Sequence, residues 1–265
     1  MNDHESYFKV NQETWDQKVP YHVASMFYNV DDFKKGETSL NSYELNALRD
    51  VKGKSLLHLQ CHFGQDTLSW CRLGAKCVGI DFSKKAIETA KQLNEELNLD
   101  AQFICGNVLD TRSLTEDTFD IVFTSYGVTG WLPDLKLWAE MIASSLKPGG
   151  LFYIVEFHPL IWMFDYSEEP AVLKYGYNQS QMIYEEYKGT YANLEAPLIS
   201  KECTWNHSLG SVVNSLIEAG LKIDYLNEYD ASPYNILPRL QKTDSGYETS
   251  EKYFPLIYEL KATKI

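Results

Sequence analysis

The chain has 265 residues, of which 44% are apolar and 23% charged, the make-up of a globular protein with a substantial core. Acidic side chains outnumber basic ones by 37 to 24, and the net charge of −13 argues against nucleic acid and anionic membranes as partners. No stretch approaches the roughly 18–20 consecutive apolar residues of a membrane span.

The polar, acidic start MNDHESYFKV is unlike a secretory signal. Cys61, Cys71, Cys77, Cys105 and Cys203 show no zinc-type spacing and predict a reduced, cytoplasmic protein. Residues 4–18 carry Tyr7, Phe8, Val10 and Trp15 at near-helical spacing, and Val19-Pro20 is expected to end that helix. A second short helix is expected over 21–29, a polar loop from Asp31 to Ser39, and a third helix over 40–50.

A regular alternation follows. Strands are predicted at Ser55–Leu59, Lys76–Ile80, Ala101–Cys105, Phe119–Thr124 and Leu151–Glu156. Between them lie helices at Gly64–Leu73, at Ser83–Leu97 with Ser83 as its N-cap, and at Leu135–Leu146, closed by Lys147-Pro148-Gly149-Gly150. Apolar strands alternating with helices predict an α/β fold with a doubly wound, mostly parallel sheet. From Pro159 to His207 the rhythm breaks. This stretch holds nine aromatic residues, and Tyr184–Tyr191 and Lys201–Trp205 read as extended. A helix at Leu209–Ala219, with His207 as its expected cap, and strands at Leu221–Tyr229 and Phe254–Lys264 complete the chain.

In such sheets ligands bind beyond the carboxyl ends of the strands. Asp81 lies there, seventeen residues after Gly64 and at the tip of the second strand, where a carboxylate suits a ribose diol. The bland alternative makes Asp81 a helix cap. A dinucleotide fingerprint needs three glycines in the first loop. Gln60-Cys61-His62-Phe63-Gly64 supplies one, which favours a nucleoside without a pyrophosphate.

The series LLHLQCHFG, GIDFS, CGNVLD, FDIVFTSYG and LKPGGLFYIVE, in this order over roughly residues 40–230, resembles the class I S-adenosylmethionine-dependent methyltransferases. In that family the first loop carries an acid and three glycines. Here those places fall on His58, Gln60, His62 and Gly64, a variant loop similar to one found among small-molecule methyltransferases. The resemblance implies a seven-stranded sheet with a reversed last strand and S-adenosyl-L-methionine as cofactor, leaving S-adenosyl-L-homocysteine. It implies a cofactor site at Gln60, Cys61, His62, Gly64, Asp81, Phe82, Asn107, Val108 and Ser125. Phe82 would pack on the adenine, Asn107 accept from its amino group, Val108 offer a backbone amide and Ser125 meet the methionine part.

One domain is expected: an N-terminal helical cap (1–50), a cofactor-binding core (51–158), a lid insertion (159–207) and the rest of the core (208–265). The aromatic, acidic lid suits a compact small-molecule acceptor, bound by a monomer or homodimer. Candidate acceptor contacts are Tyr21, His22 and Trp131, with Trp15 and Tyr28 beside them. His158, just after the fifth strand, is the candidate general base, although a hinge histidine bonded to backbone would look the same. Tyr126 flanks the expected transfer point, and no metal-ligand spacing stands out. A nicotinamide-dependent oxidoreductase and a non-catalytic module for adenosine ligands remain the competing readings.

Overall fold

Leu56 and Leu57 point to opposite faces of the first strand, and both are wholly removed from solvent. That pattern requires helices on both sides of the sheet. The computed structural model, which describes residues 3–265, has this architecture. Helices α1 (Asp3–Val23), α2 (Val30–Lys34) and α3 (Ser42–Ala47) precede β1 (Ser55–Leu59). There follow α4 (Gln65–Arg72), β2 (Lys76–Asp81), α5 (Lys84–Glu96), β3 (Gln102–Cys105), α6 (Thr111–Leu114), β4 (Phe119–Ser125), α7 (Leu135–Ser145) and β5 (Leu146–Phe157). The insertion holds the short pair β6 (Phe164–Asp165) and β7 (Val172–Leu173), then the hairpin β8 (Gln179–Lys188) and β9 (Ile199–Asn206). The chain ends with α8 (Leu209–Glu218), β10 (Leu221–Tyr229), β11 (Ala231–Ser232), β12 (Gln241–Thr243), β13 (Gly246–Glu248) and β14 (Ile257–Lys264).

Seven strands form one sheet in the order β10-β14-β5-β4-β1-β2-β3. The pairs among β1 to β5 are parallel, while β14 runs antiparallel to both β5 and β10 and is the reversed strand. On one face Leu56, Phe123 and Tyr153 pack with Trp70 and Ile87, and on the other Leu57, Val122 and Ile154 pack with Trp138, Ile142 and Leu216. The order reverses between β1 and β4, so the ligand crevice lies beyond the carboxyl ends of these two strands.

The structure differs from the sequence-based expectations in four places. Pro20 lies inside α1 rather than after it. Proline deletes one helical hydrogen bond, but α1 is anchored elsewhere: Asn11 exchanges two hydrogen bonds of 2.8 Å with the Cys203 backbone, and Thr14 Oγ1 donates to Lys201 O at 2.7 Å. The helix expected over 21–29 shrinks to the last turn of α1. The loop expected from Asp31 contains α2, which buries Val30 and Phe33. Residues 231–248 form a small three-stranded sheet, β11-β13-β12, that the polar sequence did not announce.

Candidate cofactor and acceptor site

The loop after β1 keeps a glycine-type backbone without the glycines. Gln60 has φ +56°, His62 +50° and Gly64 +83°. A left-handed conformation costs a residue with a Cβ about 1–2 kcal/mol, so positions 60 and 62 hold strain that surrounding bonds must offset. Gln60 Nε2 donates to Val128 O at 2.9 Å, His62 N donates to Asp81 Oδ2 at 2.8 Å, and Cys61 N donates to Ile80 O at 3.0 Å. Gly64 leads into α4, and a Cβ there would sit 2.7 Å from the Phe103 ring. Cys61 is buried, its thiol pushed well up by desolvation, which makes it packing rather than a nucleophile.

Asp81 ends β2 and is almost wholly buried. Burial lifts its carboxyl to about 6, against the pull of the backbone N–H groups of Ser83 and His62. Ser83, not Asp81, caps α5, accepting from Ala86 N at 3.1 Å. Phe82 follows at the same edge, and its carbonyl accepts from Gln12 of α1. Asn107 accepts from Leu109 N at 3.0 Å and so shapes the next loop, while Val108 packs into the core.

Beyond β4, Ser125 Oγ donates to Asp66 Oδ2 at 3.1 Å. Tyr126 also has positive φ, +31°. Glu156, on the neighbouring strand, fixes this turn by accepting from the amides of Gly127, Val128 (2.7 Å) and Thr129 (2.9 Å). Trp131 Nε1 donates to Gly127 O at 2.7 Å, which turns its ring toward Trp15, 5.4 Å away.

Helix α1 closes over these loops. Trp15 lies 5.1 Å from the His62 ring and 5.8 Å from that of His22. His22 Nδ1 and His62 Nε2 share a hydrogen bond of 3.0 Å. Burial lowers His22 to about 3 and His62 well below its ordinary range, so both rings are neutral. Tyr191, from the insertion, lies 4.7 Å from His22 and hydrogen-bonds Tyr28. Lys18 is buried between the Trp15, Trp131 and Tyr187 rings and pairs with Glu202 of β9.

The structure therefore gathers His22, His62, Trp131, Trp15 and Tyr28 at one place, with Asp81 behind them. It does not bring His158 there. His158 Nε2 bonds Glu228 at 2.8 Å and Nδ1 accepts from Leu160 N at 3.2 Å, so the ring caps the turn after β5 and has no free lone pair. Tyr21 is half-buried, and its side chain joins no hydrogen bond or ring pair among the described residues. His207 does not cap α8; Ser208 does, and His207 bonds Leu132 O at 2.7 Å. Sequence reasoning passed over Lys18, Glu44, Asp66, Glu156 and Tyr234. Glu44, wholly buried on α3, is lifted to about 8 by desolvation and by Asp66. Its signal was an acid inside an otherwise apolar helix face.

Known proteins resemble this chain in sequence and in fold. Residues 57–154 match the family model described as a methyltransferase domain. An uncharacterized methyltransferase of Synechocystis is 29% identical over 153 residues, 57% of this chain and 70% of that one. A ubiquinone biosynthesis O-methyltransferase of Nitrobacter winogradskyi is 30% identical over 152 residues, and the match spans 56% of each chain. Among solved structures, an S-adenosylmethionine-dependent methyltransferase from Mesorhizobium loti superposes with a TM-score of 0.56 at 20% identity, over 87% of this chain and all of that one. The glycopeptide N-methyltransferase MtfA complexed with S-adenosylmethionine gives 0.57 at 12% identity, over 84% of this chain and 92% of that one. Residues 57–154 thus match a methyltransferase domain, and the fold is the one that these S-adenosylmethionine-dependent methyltransferases share.

Proposed function

We propose that the protein transfers a methyl group from S-adenosylmethionine to a small-molecule acceptor held beneath α1 and the insertion. The observation that carries this reading is a set of buried polar atoms without partners at the sheet's carboxyl edge. They are Gln60 Oε1, His62 Nδ1, His22 Nε2 and Trp15 Nε1. Buried polar groups are ordinarily satisfied, so four orphans beside one strand edge fit a polar ligand. The donor set suits this cofactor. A carboxylate has about four lone-pair sites, and Asp81 uses two, leaving two for a ribose diol. Asp66, which accepts from Ser125 Oγ, suits the cofactor's cationic end, and the buried Glu44 beside it is neutral at pH 7.

The bound cofactor supplies a methyl group already activated on a sulfonium sulfur. The chain's part is to orient the reactants and to keep water out. In this reading Gln60 to Gly64, Asp81, Phe82, Asn107, Val108 and Ser125 hold the cofactor. Trp131 and Tyr126 wall the transfer point, and His22 meets the acceptor. Phe27, Tyr191 and Tyr234 extend the wall outward, with Phe27 stacked on Tyr234 at 5.4 Å. The aromatic lining and the charge of −13 favour a compact organic acceptor over nucleic acid, and the five free cysteines fit a cytoplasmic protein. No described helix is long and apolar enough to cross a membrane.

Calorimetric titration with S-adenosylhomocysteine, with NAD as control, tests the reading. Saturable binding of the first alone is expected. Binding of NAD alone, or of neither, overturns it.

A further inference from the structure

His62 stands at a loop position where backbone conformation favours glycine, and its ring is turned onto a second histidine, His22. The two rings share one hydrogen bond, and each has its other nitrogen buried and unpaired. Two neutral imidazoles carry two ring protons. One lies in the shared bond. If His62 Nε2 donates, His62 Nδ1 is a bare lone pair and His22 Nε2 carries the second proton. If His22 Nδ1 donates, the roles of the outer nitrogens reverse. The couple therefore always presents one acceptor and one donor, and a proton entering at one end releases another at the far end.

We propose that His22 and His62 act as one catalytic proton relay, and that the natural acceptor bears an ionisable O–H or S–H group, as a phenol, enol or thiol does. The inference rests on the methyltransferase reading above. In the step, the acceptor's oxygen or sulfur bonds the methyl carbon, and the carbon–sulfonium bond breaks with its electron pair staying on the cofactor's sulfur. The acceptor's proton moves to the free lone pair of the couple, and one proton leaves from the opposite nitrogen to water. The positive charge lost from the sulfonium leaves with that proton, so both rings end neutral with their tautomers exchanged. A weakly basic couple suffices, since the acceptor's proton becomes far more acidic as the new bond forms. The charged and titratable groups facing the couple are Lys18 with its partner Glu202 on one side, Tyr28 and Tyr191 on another, and Asp81 beneath the His62 amide.

The test uses full-length protein labelled with ¹⁵N-histidine, alone and with S-adenosylhomocysteine, in the wild type and in His22→Gln and His62→Asn. Expected is one proton bridging the rings, both neutral from pH 5 to 8, and loss of that bridge in each variant with cofactor affinity retained in His22→Gln. Independent titration of either ring near the ordinary histidine value overturns the relay. Loss of cofactor binding in the wild type overturns the methyltransferase reading instead. Catechol, thiophenol and quinoline serve as probe acceptors. His22→Gln should slow turnover of the first two by at least about 100-fold more than turnover of quinoline, which has no proton to lose. Equal losses on all three, or wild-type turnover of quinoline alone, also overturn the relay. Where none is turned over, the labelled-histidine result decides.

Discussion

Replacing Asp81 by asparagine separates its charge from its shape. The carboxylate accepts from His62 N at 2.8 Å and from Ser83 N at 2.9 Å, which leaves lone pairs for two hydroxyls. An amide keeps one oxygen and turns an N–H pair toward the other partners. Loss of one hydrogen bond to a charged group removes about 1.5–3 kcal/mol, a fall of roughly 10- to 150-fold in affinity for S-adenosylhomocysteine. The fold itself loses little. Burial lifts this carboxyl from 3.8 to about 6, so keeping it ionised at neutral pH costs roughly 3 kcal/mol, and the neutral amide avoids that cost. The sign of the pH dependence follows. Hydroxyl donors favour the ionised form, so binding expels the proton, and wild-type affinity falls as pH drops through about 6, by up to tenfold per unit. His22 and His62 lie too low to titrate in that window. Calorimetry from pH 5 to 8, with thermal melts as a folding control, reads both effects. A folded Asp81→Asn protein with wild-type affinity, or with its acid limb intact, refutes the assignment.

Other perturbations probe different parts of the site. Glu44 is lifted to about 8, so the folded state holds a proton that the unfolded chain releases near 4.5. Its contribution therefore makes stability fall between about pH 4.5 and 8 and level off above. Glu44→Gln should flatten that slope in denaturant titrations and raise stability at pH 8 by on the order of a few kcal/mol. Gly64→Ala sets a Cβ 2.7 Å from Phe103 at φ +83° and should cost about 2–4 kcal/mol, read as a lowered Tm; a loss under about 0.5 kcal/mol would contradict the loop geometry. Lys18→Met strands the Glu202 carboxylate and should cost roughly 3 kcal/mol, with faster amide exchange in β9 as the local readout.

Strands and the helices between them were legible because local signals agree: apolar runs of strand length, Ser83 as a cap, and Lys147-Pro148-Gly149-Gly150 as a stop. Asp81 was legible for the same reason, being fixed by the strand it ends. The misreadings involve long-range contacts. Pro20 breaks helices locally, yet α1 is held by β9 nearly two hundred residues away. His158 lies at the right edge of the sheet, but Glu228 on β10 draws its ring aside. His62 was read only as part of the cofactor loop, because nothing in the sequence places His22 within hydrogen-bond reach. Lys18 carries no local signal of burial, since the rings of Trp15, Trp131 and Tyr187 that enclose it come from three separate segments.

Helix α1 is bonded on two sides at once. Gln12 and Asp16 hold the turn after β2, while Asn11, Thr14 and Lys18 hold β9. On the methyltransferase reading, a nucleoside at Asp81 and an acceptor at His22 both lie against this one helix, so the two binding events are expected to be coupled. Steady-state kinetics should then follow a compulsory sequence, with the nucleoside entering first onto the sheet edge and leaving last. Competitive product inhibition by the demethylated nucleoside would appear against its own donor alone, and the methylated product would depart while the helix still rests on the turn beside Asp81.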